Sequence, residues 1–213
     1  MVRTAVLVSG GGTNLQAIID AHLFGEIKNC ELTAVISSSP DAYALVRASS
    51  AGIKSYVVDR QIFPNRHTFS NAVLNMLRDL DIELVVLAGF LYILDPPVIK
   101  HFTNKIINIH PALIPSFCGE GAFGLRVHRM ALEYGVKLSG ATAHFVTEET
   151  DDGPIIVQRA VPVLEGDTPK LLQRRIMEEA EWKVLPEAIS LFCEGRLSVE
   201  GRIVHIAPEE DKQ

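Results

Sequence analysis

Residues 4–23, TAVLVSGGGTNLQAIIDAHL, decide the fold. Thr4 to Ser9 is a short β-branched run suited to a strand. Gly10, Gly11 and Gly12 break it, and from Asn14 onward Leu15, Ile18, Ile19 and Leu23 recur at helical spacing. The order is strand, glycine turn, helix. The same grammar repeats downstream: a strand over Glu31 to Ser37, a helix over Asp41 to Ala51 with Asp41 as N-cap and Gly52 as stop, a strand over Ser55 to Val58, and a helix over Arg66 to Leu80. Strands over Glu83 to Ala88 and Lys105 to Ile109 flank a short helix opening at Pro96 and Pro97. Strands alternating with helices pair in parallel through right-handed crossovers, and Leu84-Val85-Val86-Leu87, apolar on both faces, belongs in a sheet covered on two sides. Residues 1–110 therefore read as a doubly wound half.

Past Ser116 the pattern changes. Gly119, Gly121 and Gly124 make a flexible loop before a short helix near Val127 to Tyr134. Two β-rich segments, Leu138 to Thr147 and Pro154 to Val163, flank the turn Asp151-Asp152-Gly153 and are expected to pair antiparallel at one edge of the sheet. A long helix from Thr168 to Cys193, a hairpin around Glu200 and Gly201, and a charged tail expected to fray, 206–213, complete the chain. With no repeat or linker, residues 1–213 read as one α/β domain: a Rossmann-like, mostly parallel sheet in 1–110 and antiparallel strands with a long helix in 111–205.

Composition narrows the partners. A net charge of −6 with no Lys/Arg run excludes a face that neutralises a nucleic-acid backbone. The apolar stretch Ala5 to Val8 is too short for a signal-peptide core, and Leu84 to Leu94, broken by Gly89, is too short to span a membrane. Cys30, Cys118 and Cys193 are scattered and show neither a disulfide framework nor thiolate metal spacing. The expectation is a cytoplasmic protein, monomer or homodimer, acting on small molecules without nucleic acid or membrane.

Two places carry chemistry. The turn SGGGTN, residues 9–14, sits between strand and helix, where glycines allow close backbone approach and unpaired helix N–H groups favour a phosphate. The Lys of a nucleoside-triphosphate loop is absent. The third Gly of a dinucleotide fingerprint is replaced by Leu15, and Ser37 to Ser39 stand where its acidic residue belongs. The second place is IINIHPALIP, residues 106–115. Residues two apart on a strand share a face, so Asn108 and His110 address one cleft while Ile107 and Ile109 pack away from it. An amide N–H beside a protonated imidazole suits an oxygen that gains charge when a carbonyl is attacked. With an ordinary pKa of about 6.5, the imidazole needs a carboxylate neighbour to be charged at neutral pH. Asp151 or Asp152 can supply it.

Taken together, SGGGTNLQ at 9–16, Ala88-Gly89-Phe90, Asn108 to Pro111 with Leu113 to Pro115, and His144-Phe145-Val146 followed by Asp151 to Pro154 resemble the phosphoribosylglycinamide formyltransferases, a folate-dependent family of purine synthesis. The likeness runs to about Gly201. It implies direct transfer of the formyl group of 10-formyltetrahydrofolate to the amine of 5-phosphoribosyl-glycinamide, with no metal and no covalent enzyme intermediate. Residue by residue, it implies a catalytic trio at Asn108, His110 and Asp151. A phosphate loop falls at Gly12, Thr13, Asn14 and Leu15, with Glu181 on the ribose hydroxyls. The folate slot falls along Leu91, Tyr92, Ile93 and Leu94, with Arg66 nearby. Tyr92 stands where many members carry Arg, Trp182 where His is common, and Cys118 to Phe123 form an added glycine-rich stretch. His144 and Thr142 are expected to support the site from behind, and His128 has no role implied. Other folate-linked enzymes compete: a transfer-RNA formyltransferase would need a further basic domain and a hydrolase a further N-terminal one. A metal hydrolase built on His110, Asp151 and His144, or a nucleotide sensor without turnover, would be a different class.

Overall fold

The structure, a computed structural model, describes residues 1–209. Its centre is β1 (Val2–Val8), whose alternate side chains part to opposite faces: Val6 and Val8 enter one apolar cluster and Ala5 and Leu7 the other. β1 pairs in parallel with β2 (Cys30–Ser37) on one side and with β4 (Leu84–Leu87) on the other. β2 carries β3 (Ser55–Val57), and β4 carries β5 (Ile106–His110), again in parallel. The strand order reverses at β1 and β4, which opens a crevice at their C-terminal ends.

The first cluster lies between the sheet and α1 (Thr13–Leu23), α2 (Tyr43–Ser50) and the C-terminal helices; the second lies beneath α3 (Arg66–Asp79) and α4 (Pro96–His101). Both faces of the sheet are thus covered, as the apolar strand at 84–87 requires. Beyond β5 the pairing turns antiparallel through β6 (Leu138–Phe145) and β7 (Ile155–Pro162). Before β6 comes α5 (Leu125–Tyr134). After β7 come α6 (Pro169–Ile176), a π-helical turn over Met177–Glu181, and α7 (Trp182–Cys193).

Four expectations are corrected. The second helix opens at Tyr43 with Ala42 as its cap, not at Asp41, because the Ala44 N–H binds the Gly10 carbonyl and docks the helix on the glycine turn. The β6–β7 pair does not lie at the sheet edge. The hairpin of β8 (Leu197–Glu200) and β9 (Ile203–Ile206) extends the sheet beyond it through one parallel pair, Ile155 with Ile203. The long C-terminal helix is interrupted by its π turn. The start of the tail is not frayed: Arg196 Nε donates to the Ala207 carbonyl, the Ala207 N–H donates to Arg196, and Lys28 pairs with Glu209. Residues 210–213 of that expectation lie outside the described residues.

Candidate active site

Where β1 ends, three strand-end loops are tied by one hydroxyl. Ser9 Oγ accepts from Ser38 Oγ at 2.7 Å and from the Leu91 N–H at 3.0 Å. This fixes the glycine turn against the loops after β2 and β4. Gly12 then adopts φ 72°, and a Cβ added there would stand 2.7 Å from the Ala44 Cβ. Glycine is required on both counts. The first-turn N–H groups of α1 have no intrahelical partner, and no side chain caps them. Thr13 and Asn14 reach the wall of a cavity of about 610 Å³. Leu15 is buried in the core, so Gly12 and Leu15 offer this site backbone rather than side chain.

Glu181 comes from the π turn to meet α1. Asn14 Nδ2 donates to Glu181 Oε2 at 2.7 Å, and both side chains are buried. Burial pushes the Glu181 carboxyl above its ordinary range, against the opposing pull of that hydrogen bond. Asn14 Oδ1 has no hydrogen-bond partner among the described residues. Gln173 and Met177 share the cavity wall with Glu181. They stand at four-residue steps on one helical face, a spacing that could have singled them out in the sequence.

At the far side, antiparallel register sets Asn108 opposite His144 and His110 opposite Thr142. Asp151, in the loop after β6, lies between the two histidines: Oδ2 is 3.3 Å from His110 Nδ1 and Oδ1 is 3.7 Å from His144 Nε2. The Gly119 N–H donates to Asp151 Oδ2 at 3.1 Å. His110 Nε2 lies 2.9 Å from the Phe117 carbonyl. A carbonyl oxygen only accepts, so Nε2 carries a proton, and Nδ1 is the ring nitrogen that faces Asp151.

His144 is the opposite case. Its Nδ1 lies 2.9 Å from the Phe145 carbonyl and must carry the proton, which leaves the Nε2 lone pair to accept from Asn108 Nδ2 at 3.2 Å. Burial depresses its pKa, the Phe145 carbonyl and Asp151 opposing, and the ring stays neutral. The neutral ring aims the Asn108 amide, and the second Asn108 N–H is left for the cavity. Thr142 Oγ1 donates to the Ala112 carbonyl at 2.7 Å and accepts from the Ile114 N–H at 3.1 Å, which holds the loop leaving His110. His144 thus holds the Asn108 side chain, and Thr142 holds the backbone at 112–114.

Leu91, Tyr92, Ile93 and Leu94 line the cavity, with the loop from Thr147 to Asp151 also on its wall. The Tyr92 ring packs edge-on against Phe69 and Phe90, centroids 5.6 and 6.0 Å away. Arg66 is not on the wall: it pairs with buried Asp95, which also binds His67 Nδ1 at 3.1 Å. His128, on α5, does reach the wall. Desolvation, with His110 adding repulsion, lowers its pKa to about 4. Its ring nitrogens have no hydrogen-bond partner among the described residues. Among these residues no group of His, Cys, Asp and Glu is arranged to hold a metal ion, and no helix is long and apolar enough to cross a membrane.

A glycine turn at a helix N-terminus and an Asn–His–Asp cluster thus face one cavity. The family model described as formyl transferase covers residues 2–189. The chain belongs to the formyl transferase family. A phosphoribosylglycinamide formyltransferase of Haemophilus influenzae is 40% identical to this formyltransferase over 97% of the chain and 94% of that protein. The trifunctional purine biosynthetic protein adenosine-3 of Gallus gallus is 42% identical over 93% of the chain, which spans only 19% of that relative's length. Among solved structures, glycinamide ribonucleotide transformylase 1 from Symbiobacterium toebii superposes with a TM-score of 0.91 at 48% identity, covering 98% of this chain and 95% of that one. A formyltetrahydrofolate deformylase from Pseudomonas syringae shares the fold, with a TM-score of 0.86 at 27% identity over 97% of this chain and 66% of that one.

Proposed function

We propose that this formyltransferase transfers the formyl group of 10-formyltetrahydrofolate to the amine of 5-phosphoribosyl-glycinamide in purine biosynthesis. The observation that carries the reading is that an anion cradle at the start of α1 and an acceptor-saturated imidazole beside an amide open into the same cavity. The phosphate rests on the N–H groups around Thr13 and Asn14, and Glu181 accepts from the ribose hydroxyls. The folate ring enters the slot of Leu91 to Leu94, whose backbone groups can pair with its polar edge.

The amine lone pair attacks the formyl carbon, the carbonyl becomes an alkoxide, and the nitrogen becomes an ammonium. Asn108 and the His110 cation stabilise the alkoxide. Asp151 sustains that cation and relays the ammonium proton through water to folate N10. The carbonyl reforms as the bond to N10 breaks, which leaves tetrahydrofolate and the acceptor formylated on its amine nitrogen. Holding both substrates in one cavity supplies the orientation.

The competing reading is hydrolysis, favoured by the likeness to the deformylase. A direct assay separates the two. Formyl-folate should be consumed only when the phosphoribosyl acceptor is present, with formylated acceptor formed in equal amount and chelator without effect. Formate released at the same rate without acceptor would replace transfer by hydrolysis, and loss of turnover under chelator would indicate a metal enzyme.

A further inference from the structure

Among the described residues, the non-glycine residues with positive φ are Asn29, Asp81, Asn104, Asp151 and Phe117. Asn and Asp tolerate the left-handed region because their short side chains can bond to the local backbone; an aromatic residue has no such compensation. Phe117, at φ 53°, is therefore the strained member. It is also the residue whose carbonyl meets His110 Nε2 at 2.9 Å. Two residues on, the Gly119 N–H meets Asp151 Oδ2 at 3.1 Å. One short segment thus grips both halves of the His110–Asp151 pair. Strain of this kind persists only where the surroundings hold it, and such places cluster at functional sites.

We infer that Phe117 is a positioning residue whose left-handed backbone aims its carbonyl at His110 Nε2, fixing the ring so that Nδ1 is the nitrogen facing Asp151. The inference rests on the role proposed for His110. The physical step is simple: a carbonyl accepts only, so Nε2 must carry a proton, and the ring can neither flip nor exchange its nitrogens without losing that bond. The Phe117 side chain offers a competing explanation, since its ring packs edge-on with Tyr134 at 5.8 Å and joins the core. A series at this one position separates backbone from ring.

Phe117→Gly, Phe117→Asn and Phe117→Val all delete the aromatic ring but differ in tolerance of positive φ. Steady-state kinetics and nitrogen-15 NMR of the His110 imidazole read each variant. The Gly and Asn variants should keep kcat within about threefold of the parent, while Val should lose roughly tenfold to a hundredfold with KM for the acceptor little changed. In the Gly variant the Nε2–H signal should keep its hydrogen-bonded position. Equal kcat losses in all three variants would assign the effect to the ring and overturn the inference. If Val fails to fold, a shifted Nε2 signal in the Gly variant overturns it alone. Full turnover of His110→Ala would instead sink the role of His110, a failure that the NMR positions at 117 do not share.

Discussion

The two ends of the cavity are built differently. The end proposed to bind the acceptor is largely backbone: N–H groups of α1, a glycine held at φ 72° against Ala44, and one buried carboxyl with an amide partner. The end proposed to carry the reaction is side chains in series, with the Phe145 carbonyl fixing His144, His144 fixing Asn108, and Asp151 bridging both histidines. Backbone dipoles hold a phosphate equally before and during reaction, so they set binding. A charge that must be placed against a developing oxyanion sets the rate. Substitutions at the two ends should separate accordingly in KM and kcat.

The largest effect belongs to the reacting end. Asn108→Ala removes the proposed oxyanion donor and should lower kcat by about 10²–10³ with acceptor KM nearly unchanged. A loss confined to KM would merge the two ends into one binding surface. At the cradle, Gly12→Ala forces a Cβ onto Ala44 in a left-handed backbone. The expected result is roughly a tenfold to hundredfold rise in acceptor KM, from about 1.4 kcal/mol per decade of lost binding, with kcat of the saturated enzyme changing less. A kcat loss larger than the KM change would contradict the division.

Glu181→Gln should sharpen the contrast further. Burial raises the Glu181 pKa, so folding with the carboxylate ionised costs stability, and that cost grows as pH rises past the unfolded value. The neutral amide should raise Tm by a few degrees above neutral pH while weakening the acceptor, as calorimetry and KM would show. A lower Tm would mean the carboxylate is needed for the fold itself.

The last effect is on stability alone. His128 titrates near 4 in the folded protein against an ordinary 6.5, so the unfolded chain binds its proton first as pH falls. Stability should be full above about pH 7 and decline between about 6.5 and 4 by up to about 3 kcal/mol, His144 acting in the same direction. His128→Phe should flatten part of that decline in urea titrations, and an unchanged slope would remove His128 as a cause.

The parallel half was legible because each strand and helix there carries its own period, and Asn108 and His110 share a face by strand geometry alone. The need of a charged imidazole for a carboxylate left Asp151 and Asp152 both open, and only the family resemblance pointed to Asp151, whose Oδ2 lies 3.3 Å from His110 Nδ1. What escaped was set by contacts between distant segments. The docking of β9 on β7 depends on a single residue pair, the start of α2 on a bond to Gly10, and the capture of Arg66 on Asp95. Phe117 was invisible for a related reason, since nothing in its residue type announces a left-handed backbone.

The central claim is that the His110 ring acts on the reaction and the α1 cradle on binding. Single-turnover formyl transfer by His110→Ala, with the acceptor Kd measured on the same preparation, tests it most directly. The expected result is a rate lower by at least about two orders of magnitude with Kd within about threefold of the parent. An unchanged rate at saturating acceptor, with Kd weakened instead, would contradict it.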